Sequence, residues 1–128
     1  MNVQGFHHVA IICSNYEQSK QFYLEILGCS LIRETFRTER NSYKLDLRLG
    51  ENDYIELFYF LNPPARMSYP EACGLRHLAL RVNELDKMVD ELTSKGIVVE
   101  PIRRDELTEK RFTFFQDPDG LPIELYED

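Results

Sequence analysis

The sequence predicts an α+β fold of two βαβββ modules whose eight strands form an open half-barrel, and three observations lead there. A β-branched-rich run followed by an amphipathic stretch that ends at a glycine occurs twice, over 6–28 and again over 75–96. Each stretch is followed by three strand-like runs separated by turn formers. Between the two series, Asn62-Pro63-Pro64 and Pro70 interrupt residues 61–73, and a proline has no N–H to donate to a continuing ladder.

Taken in order, residues 6–13 (FHHVAIIC) carry apolar side chains on both alternating faces, the pattern of a strand covered on both sides. Asn15 is a natural cap for a helix over 16–27, with Tyr16, Phe22, Tyr23, Ile26 and Leu27 on or near one stripe and Gly28 as its stop. Strands follow near 30–37, 42–49 and 54–60, the later ones separated by Asn41 and by Gly50-Glu51-Asn52-Asp53. After the break, 75–82 reads as a strand. Residues 84–95 read as a helix with Leu85, Met88, Val89 and Leu92 on its apolar side, and Gly96 ends it. Residues 97–102, 111–115 and 122–126 supply three more strands, the last preceded by the turn Asp117-Pro118-Asp119-Gly120. The modules are expected at about 4–61 and 74–128 with a linker over 62–73, together forming a single domain of 1–128. Two equivalent half-sheets pack most simply about a pseudo-two-fold axis, each with its helix outside, which leaves a concave inner face.

Bulk properties narrow the function. With 128 residues and 43% of them hydrophobic, the chain is long enough to bury a core without disulfide staples. A net charge of −7 argues against the basic surface that a nucleic acid needs. The longest apolar run, Val9 to Cys13, is far too short to span a bilayer, so no membrane role and a cytoplasmic location are expected. Cys13, Cys29 and Cys73 are odd in number and lack a C-x-x-C spacing, and they read as small reduced hydrophobes.

The repeat carries polar residues with it. Phe6-His7-His8-Val9-Ala10 is echoed by Leu75-Arg76-His77-Leu78-Ala79, and Tyr54-Ile55-Glu56-Leu57-Phe58 by Leu121-Pro122-Ile123-Glu124-Leu125-Tyr126. The separations are 48 positions from His8 to Glu56 and 47 from His77 to Glu124, while Gly28 to Gly96 and Glu56 to Glu124 are both 68 apart. Each glutamate lies between apolar strand residues, where a charge is costly unless it is paired or bound to a cation. Two imidazoles and two carboxylates suit a divalent ion such as nickel, cobalt, manganese, iron or zinc. The plainer alternative makes His8–Glu56 and His77–Glu124 structural pairs. His7 competes with His8 as ligand, and alternation makes the two exclusive; His8 is the choice because it aligns with His77. Arg37, Arg40, Lys44 and Arg48 around the third strand, and Arg103, Arg104, Lys110 and Arg111 around the seventh, read as solvated edge charges, although any of them could meet an anionic substrate. Phe58, Phe60, Phe112, Phe114 and Phe115 read as core or cavity wall.

The runs His8-Val9-Ala10-Ile11, Ser19-x-x-Phe22-Tyr23-x-x-Ile26-Leu27-Gly28, Glu56-Leu57-Phe58, His77-Leu78-Ala79 and Asp117-Pro118-Asp119-Gly120-Leu121-Pro122-Ile123-Glu124-Leu125 resemble the vicinal oxygen chelate superfamily. That group includes glyoxalase I, fosfomycin- and bleomycin-resistance proteins, methylmalonyl-CoA epimerase and extradiol dioxygenases. The resemblance covers almost the whole chain and implies a metal in the cleft, held by His8, Glu56, His77 and Glu124 as in bacterial-type glyoxalase I. It implies a lyase or isomerase acting on a small substrate with adjacent oxygens through a metal-stabilised enediolate, with Glu56 or Glu124 as the catalytic base. A metal-dependent thiol transferase acting in antibiotic resistance, and a non-catalytic small-molecule binding module, are the alternatives. A homodimer is expected, its clefts built within one chain or by modules exchanged between two.

Overall fold

The computed structural model describes residues 1–128, which divide into two compact units, Met1–Pro64 and Ala65–Asp128. In the first unit β1 (Val9–Cys13) leads through α1 (Tyr16–Gln21) to β2 (Ser30–Arg37), β3 (Ser42–Leu49) and β4 (Asp53–Tyr59). The second repeats the order with β5 (Leu78–Val82), α2 (Leu85–Ser94), β6 (Arg103–Arg104), β7 (Arg111–Gln116) and β8 (Pro122–Glu127). Each unit forms one mixed four-stranded sheet, in the orders β1-β4-β3-β2 and β5-β8-β7-β6. In both, the first strand pairs in parallel with the last and the other pairings are antiparallel. The α+β class and the two βαβββ modules are therefore present as the sequence predicts.

Local chemistry explains most boundaries. The Asn15 side chain accepts from the Gln18 N–H at 3.1 Å and so caps α1. Hydrogen bonding then widens: Phe22–Ile26 is a π-helical turn, with the Leu27 N–H donating to the Phe22 carbonyl at 3.0 Å. The α-helix expected over 16–27 thus ends at Gln21. Consecutive α-helical residues diverge by about 100°, whereas Phe22 and Tyr23 are both buried, so the wider turn lets neighbouring rings enter the core. At the end of α2, Gly96 takes φ 80°, and the N–H groups of Gly96 and Ile97 donate to the carbonyls of Thr93 and Leu92, the arrangement that closes a helix on a left-handed residue.

One strand differs from its expected place. The run 97–102 does not form a ladder, and β6 is only Arg103–Arg104. Pro101 supplies no N–H at the point where a ladder would continue. Just before it, the Glu100 N–H donates to the Phe114 carbonyl at 2.9 Å, and the Glu100 carbonyl accepts from the Thr113 hydroxyl at 2.6 Å.

Alternation sorts each sheet into two faces. Ile11 and Cys13 of β1, Leu45 and Leu47 of β3, and Ile55 and Leu57 of β4 share one buried face, in register as Ile11↔Leu57, Leu45↔Leu57 and Leu47↔Ile55. The helix covers this face, its Tyr16 ring stacked 4.2 Å from that of Tyr43. Each fully buried leucine here contributes roughly 1.5–3 kcal/mol. The other face of β1 is open, with Ile12 56% exposed, so that strand is not covered on both sides as its composition suggests. In the second unit Thr113, Phe115, Ile123 and Leu125 are buried along with Leu85 and Leu92 of α2. Arg111 ties these layers together, donating to Glu127 at 2.7 and 2.8 Å and to Asp86 of α2 at 2.9 Å. That hydrogen bonding holds the Glu127 carboxyl below the usual range.

The turn into β8 is built on Asp117, which is 5% exposed. Its Oδ1 accepts from the N–H groups of Asp119 and Leu121, both at 2.9 Å, and Gly120 follows at φ 85°. Removing that acceptor strands a buried donor, which costs about 1–3 kcal/mol. Asp117→Ala is expected to lose this amount in urea denaturation, and Asp117→Asn, which retains the oxygen, distinctly less.

Candidate metal-ligand pairs

His8 and His77 each stand one residue before the first strand of their unit, not within it as the alternation suggested. Parallel pairing sets Ala10 beside Glu56 and Ala79 beside Glu124. Since residues two apart on a strand share a face, His8, Ala10 and Glu56 project from the side of the first sheet away from α1. His77, Ala79 and Glu124 do the same in the second sheet. The small alanine leaves room for imidazole and carboxylate to meet. His8 Nε2 contacts Glu56 Oε2, and His77 Nε2 lies 3.1 Å from Glu124 Oε2. His7, the rejected candidate, is exposed, and its Nδ1 lies 2.8 Å from that of His8, so it braces the ring that faces Glu56.

The four residues come together as two pairs, one in each unit, and no group of three or more His, Cys, Asp or Glu side chains gathers. The donor chemistry of each pair fits a cation. The Glu56 and Glu124 side chains are only 16% and 12% exposed, yet each faces an imidazole nitrogen of the kind that ligates divalent metals. The surroundings then diverge. At matching positions of the third strands, Glu56 is paired with Asp46 and Glu124 with Phe114. Lys44 Nζ contacts Glu56 Oε1 and lies 3.4 Å from Asp46 Oδ1. Its hydrogen bond to Glu56 holds the ammonium above the usual lysine range, with Asp46 adding to the effect. Glu124 has instead the His77 ring, which meets the Phe114 ring edge-on at 5.1 Å.

Reading Lys44 as an edge charge is therefore corrected: it is the internal counter-ion of Glu56. Its signal lay in the alternation of β3, because Lys44 and Asp46 must share a face with Glu56 once the strands pair. Arg111 and Arg103 are not plain edge charges either, the second lying 5.1 Å over the Phe112 ring. Arg66, unremarked in the sequence, donates to the Leu75 and Arg76 carbonyls, both at 2.8 Å, and so anchors the backbone immediately before His77. Of the five phenylalanines, Phe115 is core, while Phe58, Phe112 and Phe114 stand on the polar faces beside the glutamates. Burial pushes the Cys29 thiol up to about 11, so it is not a nucleophile at neutral pH. Cys13 is also buried and Cys73 is exposed, and all three cysteines are free thiols.

Comparison with known proteins accords with the two-module fold. Residues 5–125 match the model of the Glyoxalase/Bleomycin resistance protein/Dioxygenase superfamily, and the chain belongs to that superfamily. It is 61% identical to the uncharacterized protein YwkD of Bacillus subtilis over 127 residues, 99% of each chain. It is similar to the crystal structure of a glyoxalase family protein from Enterococcus faecalis, with 51% identity, a TM-score of 0.91, and 97% and 98% of the two chains covered. A probable lactoylglutathione lyase of Synechocystis is 30% identical, with 94% of this chain and 92% of that one covered. No helix is long and apolar enough to cross a membrane.

Proposed function

We propose that this protein is a metal-dependent lyase or isomerase of the glyoxalase I kind, with His8, Glu56, His77 and Glu124 as ligands of one divalent ion. The observation that carries the reading is the recurrence of the same His–Glu contact at the same register in two sheets, with an alanine beside each glutamate. A structural ion pair has no need to be duplicated on the polar side of each sheet. A bound divalent ion would supply Lewis-acid stabilisation of charge on two adjacent substrate oxygens.

The residues divide the remaining work. His8 and His77 hold their Nε2 atoms toward the carboxylates, His8 with its other nitrogen against His7 and His77 with its backbone anchored through Arg66. Such outer contacts fix ring orientation. One glutamate takes a proton from the carbon next to the substrate oxygens and returns it to the neighbouring carbon or to the opposite face of the same carbon. Glu56 and Glu124 are the two candidates for this part. The resemblance to a lactoylglutathione lyase supports chemistry of this class.

Metal analysis of the purified full chain by mass spectrometry is the test, followed by assay with a hemithioacetal and with an α-chiral carbonyl compound. One ion per chain, with turnover that a chelator removes, is expected. Two ions per chain, or none on saturation with nickel and manganese, would make the pairs independent or structural.

A further inference from the structure

Arg37 sits at the end of β2, opposite Ser42 of β3, on the same side of the first sheet as Glu56. Its guanidinium lies 4.9 Å from the Phe58 ring centre and 5.9 Å from that of Phe60, two rings within 5° of parallel. Nη2 donates to the buried Ser42 hydroxyl at 3.2 Å. The group is thus fixed on an aromatic floor, but its charge is not answered. Arg33 has Asp46, Lys44 has Asp46 and Glu56, and Arg111 has Glu127 and Asp86, whereas Arg37 has no carboxylate within ion-pair distance. Its Nε–H is also shielded from solvent and meets no acceptor.

A partly covered cation with an unused donor is a cost that packing alone does not explain, because a methionine would cover the two rings equally well. The surroundings suit a small ligand. At the turn that follows β2, an open pocket of about 460 Å³ lined by Arg37, Thr38, Glu39 and Arg40 leaves the Arg37 end of this face accessible. Lys44 lies over the same Phe58 ring at 5.8 Å while touching Glu56, so a second cation stands between Arg37 and the candidate ligands. Phe58, whose ring the guanidinium overlies, is two strand positions from Glu56, about 7 Å along the strand, the length of a small metabolite. In a chain of net charge −7, an anion is held only where cations are concentrated in this way.

We propose that Arg37 is an anion-recognition residue that takes the carboxylate or phosphoryl group of the substrate whose oxygens face the His8–Glu56 pair. A guanidinium offers these groups a planar, two-pronged donor edge, which an ammonium does not. Lys44 is the second cation of this face, and it would be free to meet the ligand if Glu56 held a metal. The inference rests on the metal-site reading and names the class of its substrate.

The test titrates inorganic phosphate and malonate separately into the full chain, followed by amide NMR, first without metal and then with nickel. Saturable shifts around Phe58 and Phe60 with phosphate alone assign a phosphoryl group, with malonate alone a carboxylate, and with both a general anion site; each supports the proposal. Arg37→Met, which keeps the cover over the rings, is expected to weaken binding by about tenfold or more, and Arg37→Lys to restore part of it. Nickel uptake should be unchanged in both. Absence of saturable binding by either anion while nickel binds, or equal binding by Arg37→Met, would overturn the role of Arg37 alone. Anion binding without nickel uptake would overturn the metal site and leave Arg37 standing. Should Arg37→Met fail to fold, the comparison of wild type with Arg37→Lys decides.

Discussion

Glu124→Gln is expected to weaken divalent-cation binding by more than about 100-fold, because even an outer-shell change costs 10- to 100-fold and this substitution removes a ligand's charge. Glu56→Gln is expected to cost less. The contrast follows from what each carboxylate has without a metal: Glu56 is contacted by the Lys44 ammonium, which a metal must displace, whereas Glu124 has only the His77 ring as polar side-chain partner. Stability gives an independent reading. The Glu124 side chain is 12% exposed beside Phe114 and lacks an ammonium, so an uncharged isostere relieves a covered charge. In the presence of chelator, Glu124→Gln is therefore expected to melt at the same temperature as wild type or higher. If His77–Glu124 were a structural ion pair, the variant would melt lower and nickel affinity, measured by calorimetry, would not change.

That asymmetry shows where the sequence is legible and where it is not. The duplicated spacing makes His8, Glu56, His77 and Glu124 visible in advance, since a period of two along each strand and a repeated module leave few places for them. The helix stops at Gly28 and Gly96 are equally plain, each taking a positive φ that other residues resist. What escapes is the partner of each group across strands. Lys44 reaches Glu56 only through the antiparallel register of β3 and β4, and Arg66 reaches the Leu75 and Arg76 carbonyls across a segment with no periodicity to read. Strand 97–102 misleads because its β-branched residues promise a ladder that Pro101 interrupts. The π-helical turn at Phe22–Ile26 answers the core's demand for two adjacent rings, a tertiary requirement that an apolar stripe does not specify.

Leu57→Ala is expected to act on the opposite observable. Leu57 is fully buried in β4, which lies between β1 and β3, and its register partners Ile11 and Leu45 are buried too. Truncation removes apolar contact and leaves a cavity that paired strands on both sides cannot close, so the cost is about 2–5 kcal/mol. Against the 5–15 kcal/mol of an ordinary domain, that is a large share, and it should appear as a lower urea midpoint. Leu57→Met nearly conserves volume and should lose less than about 1.5 kcal/mol. Yet Leu57 faces α1 while Glu56 faces away from it, so at temperatures where Leu57→Ala remains folded, its nickel affinity should stay near that of wild type. Stability lost with metal binding intact in Leu57→Ala, and metal binding lost with stability intact in Glu124→Gln, would separate the two faces of the sheets by function. Parallel loss of both properties in both variants would mean that the polar face is simply part of the folding core.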